Sequence, residues 1–105
     1  MFKYVIDRTK KTPITFVGRE LAHVSSKGAA LAKGHRRWTE LKAYQTRGGT
    51  WVGHTIGRSN VVDEHDIIDA EAFKSGRELA AWMGNSWLSK ELFEKLDIDL
   101  AEVIE

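Results

Sequence analysis

The stretch RRWTELKAYQTRGGTWVGHTIGR, residues 36–58, decides the fold. Two β-rich runs, Arg36 to Arg47 and Thr50 to Arg58, flank Gly48-Gly49, a dipeptide that readily takes the positive φ angles of a two-residue hairpin turn. Such a turn sets the register: Thr46 faces Trp51, Tyr44 faces Gly53, Lys42 faces Thr55 and Leu41 faces Ile56. Because side chains alternate across a sheet, Trp38, Lys42, Tyr44 and Trp51 are expected on one face together with Arg36. Leu41, Ala43, Val52, His54 and Ile56 take the other, which has the composition of a core.

Upstream, Phe2, Tyr4 and Ile6 alternate with Lys3 and Asp7 as a short strand, and Arg8 to Thr12 reads as a basic turn closed by Pro13. A second strand runs from Ile14 through Phe16 and Val17 to about Val24, with Gly18 marking a bulge or a close backbone approach. Ser25 to Gly34 reads as a loop with one helical turn.

Downstream, Ser59 to Asp66 is a polar, acidic loop, and Ile67 to Lys74 fits neither period, leaving strand and helix open. Ser75 with Glu78 forms a capping box ahead of Leu79, Trp82 and Met83, and Gly84 suits the end of that short helix. Leu88, Leu92 and Leu96, with Phe93 beside them, make an amphipathic helix. Asp99 and Glu102 form a second box, with Ile98 and Val103 in staple positions. The expectation is a single α+β domain over residues 1–105. In it, a three- to four-stranded antiparallel sheet from the N-terminal half packs against two C-terminal helices.

Composition bounds the function. Hydrophobic content of 42 % with 30 % charged residues belongs to globular chains, and 105 residues suffice for one modest core. With no Cys, disulfides, thiolate metal sites and a cysteine nucleophile are excluded. The N-terminus is too short and polar for a signal peptide and no apolar run approaches a membrane span, so a cytoplasmic location without membrane contact is expected. The net charge of +1 conceals a strong polarity. Residues 1–60 carry twelve Lys and Arg against three Asp and Glu; residues 61–105 carry four against twelve. Opposite halves can attract within one molecule or head to tail between copies, and charge of this kind steers encounters with partners.

The hairpin holds the strongest candidate site. Trp38, Tyr44 and Trp51 with Arg36, Arg37, Lys42 and Arg47 combine aromatic faces for stacking bases with cations for phosphates, the chemistry single-stranded nucleic acid requires. The competing explanation is that helices cover this face and the aromatics are core, with Gly53 and Gly57 making room for the rings. Lys33-Gly34-His35-Arg36-Arg37-Trp38 has the cations to contact phosphate or dock an acidic protein, and as a charge run it also reads as a solvated loop.

Asp63-Glu64-His65-Asp66 with Asp69 has hard-cation ligand chemistry, and a metal-dependent nuclease or phosphatase would use Arg58 or Lys74 beside it. The spacing matches no Ca²⁺ loop or His-x₃-His pair, and the cluster reads as a solvated loop. His23, His35, His54 and His65 lie far apart, with His54 reading as a hydrogen-bonded core residue. No nucleophile elbow or glycine-rich phosphate loop is present.

Glu94-Lys95-Leu96-Asp97-Ile98 resembles the motif that names the EXLDI family of small, functionally uncharacterised bacterial proteins. The similarity extends to Gly18-Arg19-Glu20-Leu21-Ala22 and to the hairpin from Tyr44 to Val52. The resemblance implies no activity, cofactor or catalytic residue.

These readings combine into an expectation: a non-enzymatic binding module without metal or cofactor, whose partner is nucleic acid or a nucleic-acid-processing protein complex. A plasmid- or phage-borne inhibitor or regulator of host defence would fit this profile. Two alternatives are an inhibitor whose acidic helical half, with Glu91, Glu94, Asp97 and Asp99, fills a basic groove on another protein, and the metal-dependent hydrolase.

Overall fold

A computed structural model of the chain describes residues 1–98. Five strands follow one another as an antiparallel meander: β1 (Phe2–Arg8), β2 (Lys11–Ser25), β3 (Arg37–Thr46), β4 (Trp51–Ser59) and β5 (Ile67–Phe73). Helix α1 (Lys27–Ala32) joins β2 to β3, and α2 (Gly76–Met83) and α3 (Trp87–Leu96) follow the sheet. The architecture is α+β with five strands rather than three or four. The additional strand is the segment that fitted neither period. Ile68, Ala70 and Ala72 share its inner face, with Ala72 exposed at the end, and two alanines carry too little hydrophobic contrast to show alternation. Cross-strand pairing with larger neighbours, Val52 opposite Ala72 and His54 opposite Ala70, makes it a strand. The second capping box at Asp99 and Glu102, with Val103, lies outside the described residues.

The hairpin turn differs from the expected one by a single residue. Arg47, Gly48 and Gly49 form a three-residue loop in which Gly49 N–H donates to the Thr46 carbonyl at 3.0 Å and Thr46 N–H to the Thr50 carbonyl at 2.8 Å. Gly49 alone of the pair has a positive φ, +89°, as in a turn closed by a glycine bulge. Thr46 Oγ1 accepts from Thr50 N–H at 3.0 Å and reinforces this closure. Gln45 therefore pairs with Trp51, Tyr44 with Val52 and Leu41 with Thr55. Because the period is two, the slip transfers every β4 side chain to the other face. Trp51 joins Leu41 and Ala43, while Val52, His54 and Ile56 join Trp38, Lys42 and Tyr44.

Strand β2 is long enough to serve two neighbours. Its first half pairs with β1 and its second with β3, with a bulge between Glu20 and Ala22. At Gly18 the backbones approach so closely that a Cβ would lie 2.3 Å from the Gln45 carbonyl oxygen. The bend curls the sheet, and the β1–β2 tip reaches β5, where Thr9 N–H donates to the Ile68 carbonyl at 2.8 Å. Inside the curl, Ile6, Tyr44, Val52 and Ala70 are buried with Tyr4, Ile14, Phe16 and Ile68 against them. The Tyr4 and Tyr44 ring centroids stand 4.8 Å apart and those of Tyr4 and Phe16 5.3 Å.

The outer face carries a second core, in which Leu79, Leu88, Leu92 and Phe93 from α2 and α3 pack with Val24, Leu41 and Ala43. Leu79 and Leu92 are fully buried, each stabilising the fold by roughly 1.5–3 kcal/mol relative to exposure. Ser75 caps α2 by accepting from Glu78 N–H at 3.2 Å, and Ser86 caps α3 by accepting from Ser89 N–H at 3.1 Å. Among the described residues no helix is long and apolar enough to cross a membrane.

Candidate functional site

The seven residues singled out on the hairpin do not form one surface. Tyr44 keeps only 3 % of its surface and belongs to the inner core. Its hydroxyl lies 3.3 Å from His54 Nδ1. Burial, with Glu20 and Tyr4 adding to it, pushes the phenol up to about 12, so Tyr44 is the proton donor of this pair. Burial, aided by Lys42 and Arg58, lowers His54 to about 4, which keeps the imidazole neutral with Nδ1 as acceptor. Tyr44→Phe would leave that nitrogen buried without its donor, and we expect a loss of about 1 kcal/mol in urea unfolding. An unchanged midpoint would show that the 3.3 Å contact contributes nothing.

Trp51 packs against the outer core beneath the helices, on the face opposite Tyr44. Lys42 lies 3.8 Å from Glu20. Arg47 sits in the hairpin turn, the far end of β3 from Arg37, and a strand of that length spans roughly 30 Å. Of the seven, Arg36, Arg37 and Trp38 stay at one end of the sheet, with Arg37 and Trp38 on opposite faces of β3. Arg36 donates to Asn60 Oδ1 at 3.3 Å, and Arg37 grips Glu64 through Nε at 2.7 Å and a terminal nitrogen at 2.5 Å. Over the Trp38 ring, Lys27 Nζ stands 5.1 Å from the centroid.

Around this end of the sheet an open groove of about 700 Å³ is lined by α1, by the adjoining ends of β3, β4 and β5, by the acidic loop and by Trp87. Helix α1 is pinned there because Ser26 N–H donates to the Thr39 carbonyl at 2.9 Å and Thr39 N–H to Ser26 Oγ at 2.9 Å. That placement points Ala29, Ala30 and Lys33 at the groove. From the sheet come Thr39, Gly57 and Ile67, which are cross-strand partners in one row. Trp87 enters as the first residue after the Ser86 cap and remains 59 % exposed; Ile67 is 69 % exposed.

Electrostatically the groove combines compensated and uncompensated cations. The Arg37 guanidinium holds Glu64 below the usual carboxylate range, and Ser59 Oγ donates to the same carboxylate at 3.0 Å. Arg58 bridges Glu40 and Asp66, the latter at 2.8 Å. Burial works against ionisation of Glu40, yet hydrogen bonds from Arg58 and His23 outweigh it and keep its pKa low. Lys33 has no carboxylate partner among the described residues, and His35 and His65 also line the groove.

Three carboxylates of the acidic cluster are paired in the same network. Glu64 and Asp66 face guanidinium groups, and Asp69 lies 3.2 Å from Lys11. Among the described residues no three His, Cys, Asp or Glu side chains gather as metal ligands. Much of the charge polarity is therefore spent inside the molecule, as residues 64–71 neutralise Arg37, Arg58, Lys11 and Arg8.

Sequence reasoning placed Lys33, His35, Arg37 and Trp38 in one cationic motif but missed Gly57, Ile67 and Trp87. Trp87 did carry a signal: it stands beside the Leu88, Leu92 and Leu96 stripe, so a helix that buries the stripe leaves it out. The motif Glu94-Lys95-Leu96-Asp97-Ile98 forms the last turn of α3, with Asp97 in the left-handed region at φ 56° and Ile98 N–H donating to the Phe93 carbonyl at 3.0 Å. No family model, curated protein or solved structure matches the chain.

Proposed function

We propose that this chain is a non-enzymatic module that binds single-stranded nucleic acid, free or within a nucleoprotein complex, in the groove at the α1 end of the sheet. The observation that carries this reading is the joint presence of Lys33, Arg37 and the exposed Trp87 around one open volume of about 700 Å³, with Trp38 and Arg58 at its margin, their side chains turned to Glu40 on the other face of the sheet. Bases stack on exposed indole for ~1–3 kcal/mol each, and cations beside the rings take the phosphates. Compared with the hairpin face inferred from the sequence, the site keeps Arg37, retains Trp38 only at its margin, gains Trp87 and loses Arg36, Lys42, Tyr44, Arg47 and Trp51. A cytoplasmic regulator or inhibitor of plasmid or phage origin would work through this groove. Kinship with the EXLDI family belongs to the same proposal and adds no activity to it.

Fluorescence polarisation with a labelled single-stranded oligonucleotide of roughly ten nucleotides tests the reading. Trp87→Ala should weaken binding about tenfold through lost stacking, and Lys33→Ala should weaken it several-fold while reducing the salt slope by about one. Glu64→Gln should act oppositely, tightening binding several-fold, because it releases Arg37 from its internal partner. Neutralising Glu91, Glu94 and Asp97 on α3 should leave binding intact. Absence of binding at low salt, or binding indifferent to salt, would overturn the proposal.

A further inference from the structure

Two glycines stand on the outer face of β4, and only one is explained by packing. A Cβ on Gly53 would lie 2.9 Å from the Trp82 ring and 3.4 Å from the Met83 methyl, so helix α2 occupies the space that a side chain would need. Gly57, four residues on and on the same face, would present its Cβ only to Ile67, at an ordinary 3.7 Å. Its φ is not in the left-handed region, so the backbone does not demand glycine either. What the missing side chain leaves is empty space in the groove.

The row across three strands gives that space its dimensions. Thr39 pairs with Gly57 and Gly57 with Ile67, so the two flanking residues stand two strand spacings apart, roughly 10 Å, with bare backbone between them. Ile67 at one end of the row and Trp87 elsewhere on the groove wall are largely exposed apolar surfaces, whereas Lys33 lies in the same volume without a carboxylate partner among the described residues. A flat floor of bare backbone, walled by apolar Ile67 and Trp87 and beside an uncompensated cation, matches the two ends of a nucleotide: a planar base and a phosphate.

Resting on the nucleic-acid reading above, we propose that the groove holds a single-nucleobase slot: the base lies on the Gly57 backbone between Thr39 and Ile67 beside Trp87, and Lys33 takes the adjoining phosphate. The ligand class is a nucleoside 5′-phosphate unit, at a strand end or flipped from the strand. The slot, more than the total charge, selects single strands, because a paired base cannot enter.

Gly57→Val separates binding from folding, since its effects on the two have opposite signs. The Cβ is accommodated and a β-branched residue favours a strand, so the urea midpoint should hold or rise. The added methyls fill the slot. In NMR titrations with adenosine 5′-monophosphate, the wild-type protein should show saturable shifts of the Trp87 indole N–H, with ribose 5-phosphate bound at least tenfold more weakly. Gly57→Val should lose the nucleotide at least tenfold. If the oligonucleotide binds both proteins equally, the slot is wrong and the groove reading stands. If ribose 5-phosphate binds as well as the nucleotide, the site is a phosphate site only and the slot is again wrong. If the wild-type protein binds neither oligonucleotide nor nucleotide, both proposals fall together.

Discussion

Gly18→Ala is expected to cost about 3 kcal/mol, while Gly28→Ala, the same chemical change ten residues later, should gain about 0.5 kcal/mol. At Gly18 the new Cβ would stand 2.3 Å from the Gln45 carbonyl oxygen and 2.9 Å from the Thr46 Cα. Both obstacles are backbone, held between Phe2 on β1 and Thr46 on β3, so relief requires moving strands apart where β2 bends. Opening that bend would draw Tyr4, Phe16 and Ile6 away from Tyr44, and the inner core would loosen with it. Gly28 lies in α1 with nothing within 4 Å of its would-be Cβ, and alanine there raises helix propensity at no steric cost. Urea unfolding of the two variants beside the wild type decides the matter. If Gly18→Ala proves as benign as Gly28→Ala, the tight bend is not part of the folded structure.

Acidification should remove about 2 kcal/mol of stability between pH 6.5 and pH 4, and His54 is the cause. Burial lowers its folded pKa to about 4, whereas an unfolded histidine titrates near ~6.5. Between those values the unfolded chain binds a proton that the folded protein refuses, so stability falls as pH falls. The contribution is present in full above the unfolded pKa and gone below the folded one. The whole shift corresponds to about 3 kcal/mol, and the solvent that reaches the partly screened ring reduces the expected size to about 2. Lys42 and Arg58 reinforce burial by opposing a further positive charge, while Glu40 acts the other way. Since other groups titrate in acid too, the informative quantity is the difference between wild type and His54→Phe: the variant should be flatter across this window whatever its absolute stability. Parallel curves for the two proteins would refute the assignment.

The proposed site depends on how the chain charges are arranged in space. Read along the chain, twelve cations in the first 60 residues suggested a basic sheet available to a polyanion. In the folded protein the loop after β4 returns beside β3, and Glu64 and Asp66 meet Arg37 and Arg58. Within the groove, the cation those carboxylates do not reach is Lys33. Any phosphate competing for Arg37 must also displace Glu64, which is why Glu64→Gln is expected to strengthen binding.

Local chemistry made much of the architecture legible in advance. The alternation of Phe2, Tyr4 and Ile6, the Ser75–Glu78 cap and the Leu88, Leu92 and Leu96 stripe all depend on residues a few positions apart; the close approach at Gly18 was legible from the glycine alone, although its partners Gln45 and Thr46 lie far along the chain. The β3–β4 hairpin was legible as well, though not its register. Two-residue and three-residue loops around Gly48-Gly49 differ by one position, and the choice follows from Thr46, which closes the longer loop through both its backbone and its hydroxyl.

That single position decided which aromatics could meet a ligand. The sequence by itself determined an antiparallel hairpin, the Ser75 cap of α2 and the amphipathic α3, because turn chemistry, capping and hydrophobic period act over short separations; His54 is buried as expected, but beside Tyr44 rather than beside Leu41 and Ala43. Only the tertiary structure decided that Tyr44 is core, that Trp51 lies beneath the helices, and that Trp87 joins Arg37 and Gly57 around one groove. Those juxtapositions link residues some twenty to fifty positions apart. They follow from the curl of β2 and the seating of α1 and α3 on the sheet, which no local pattern encodes.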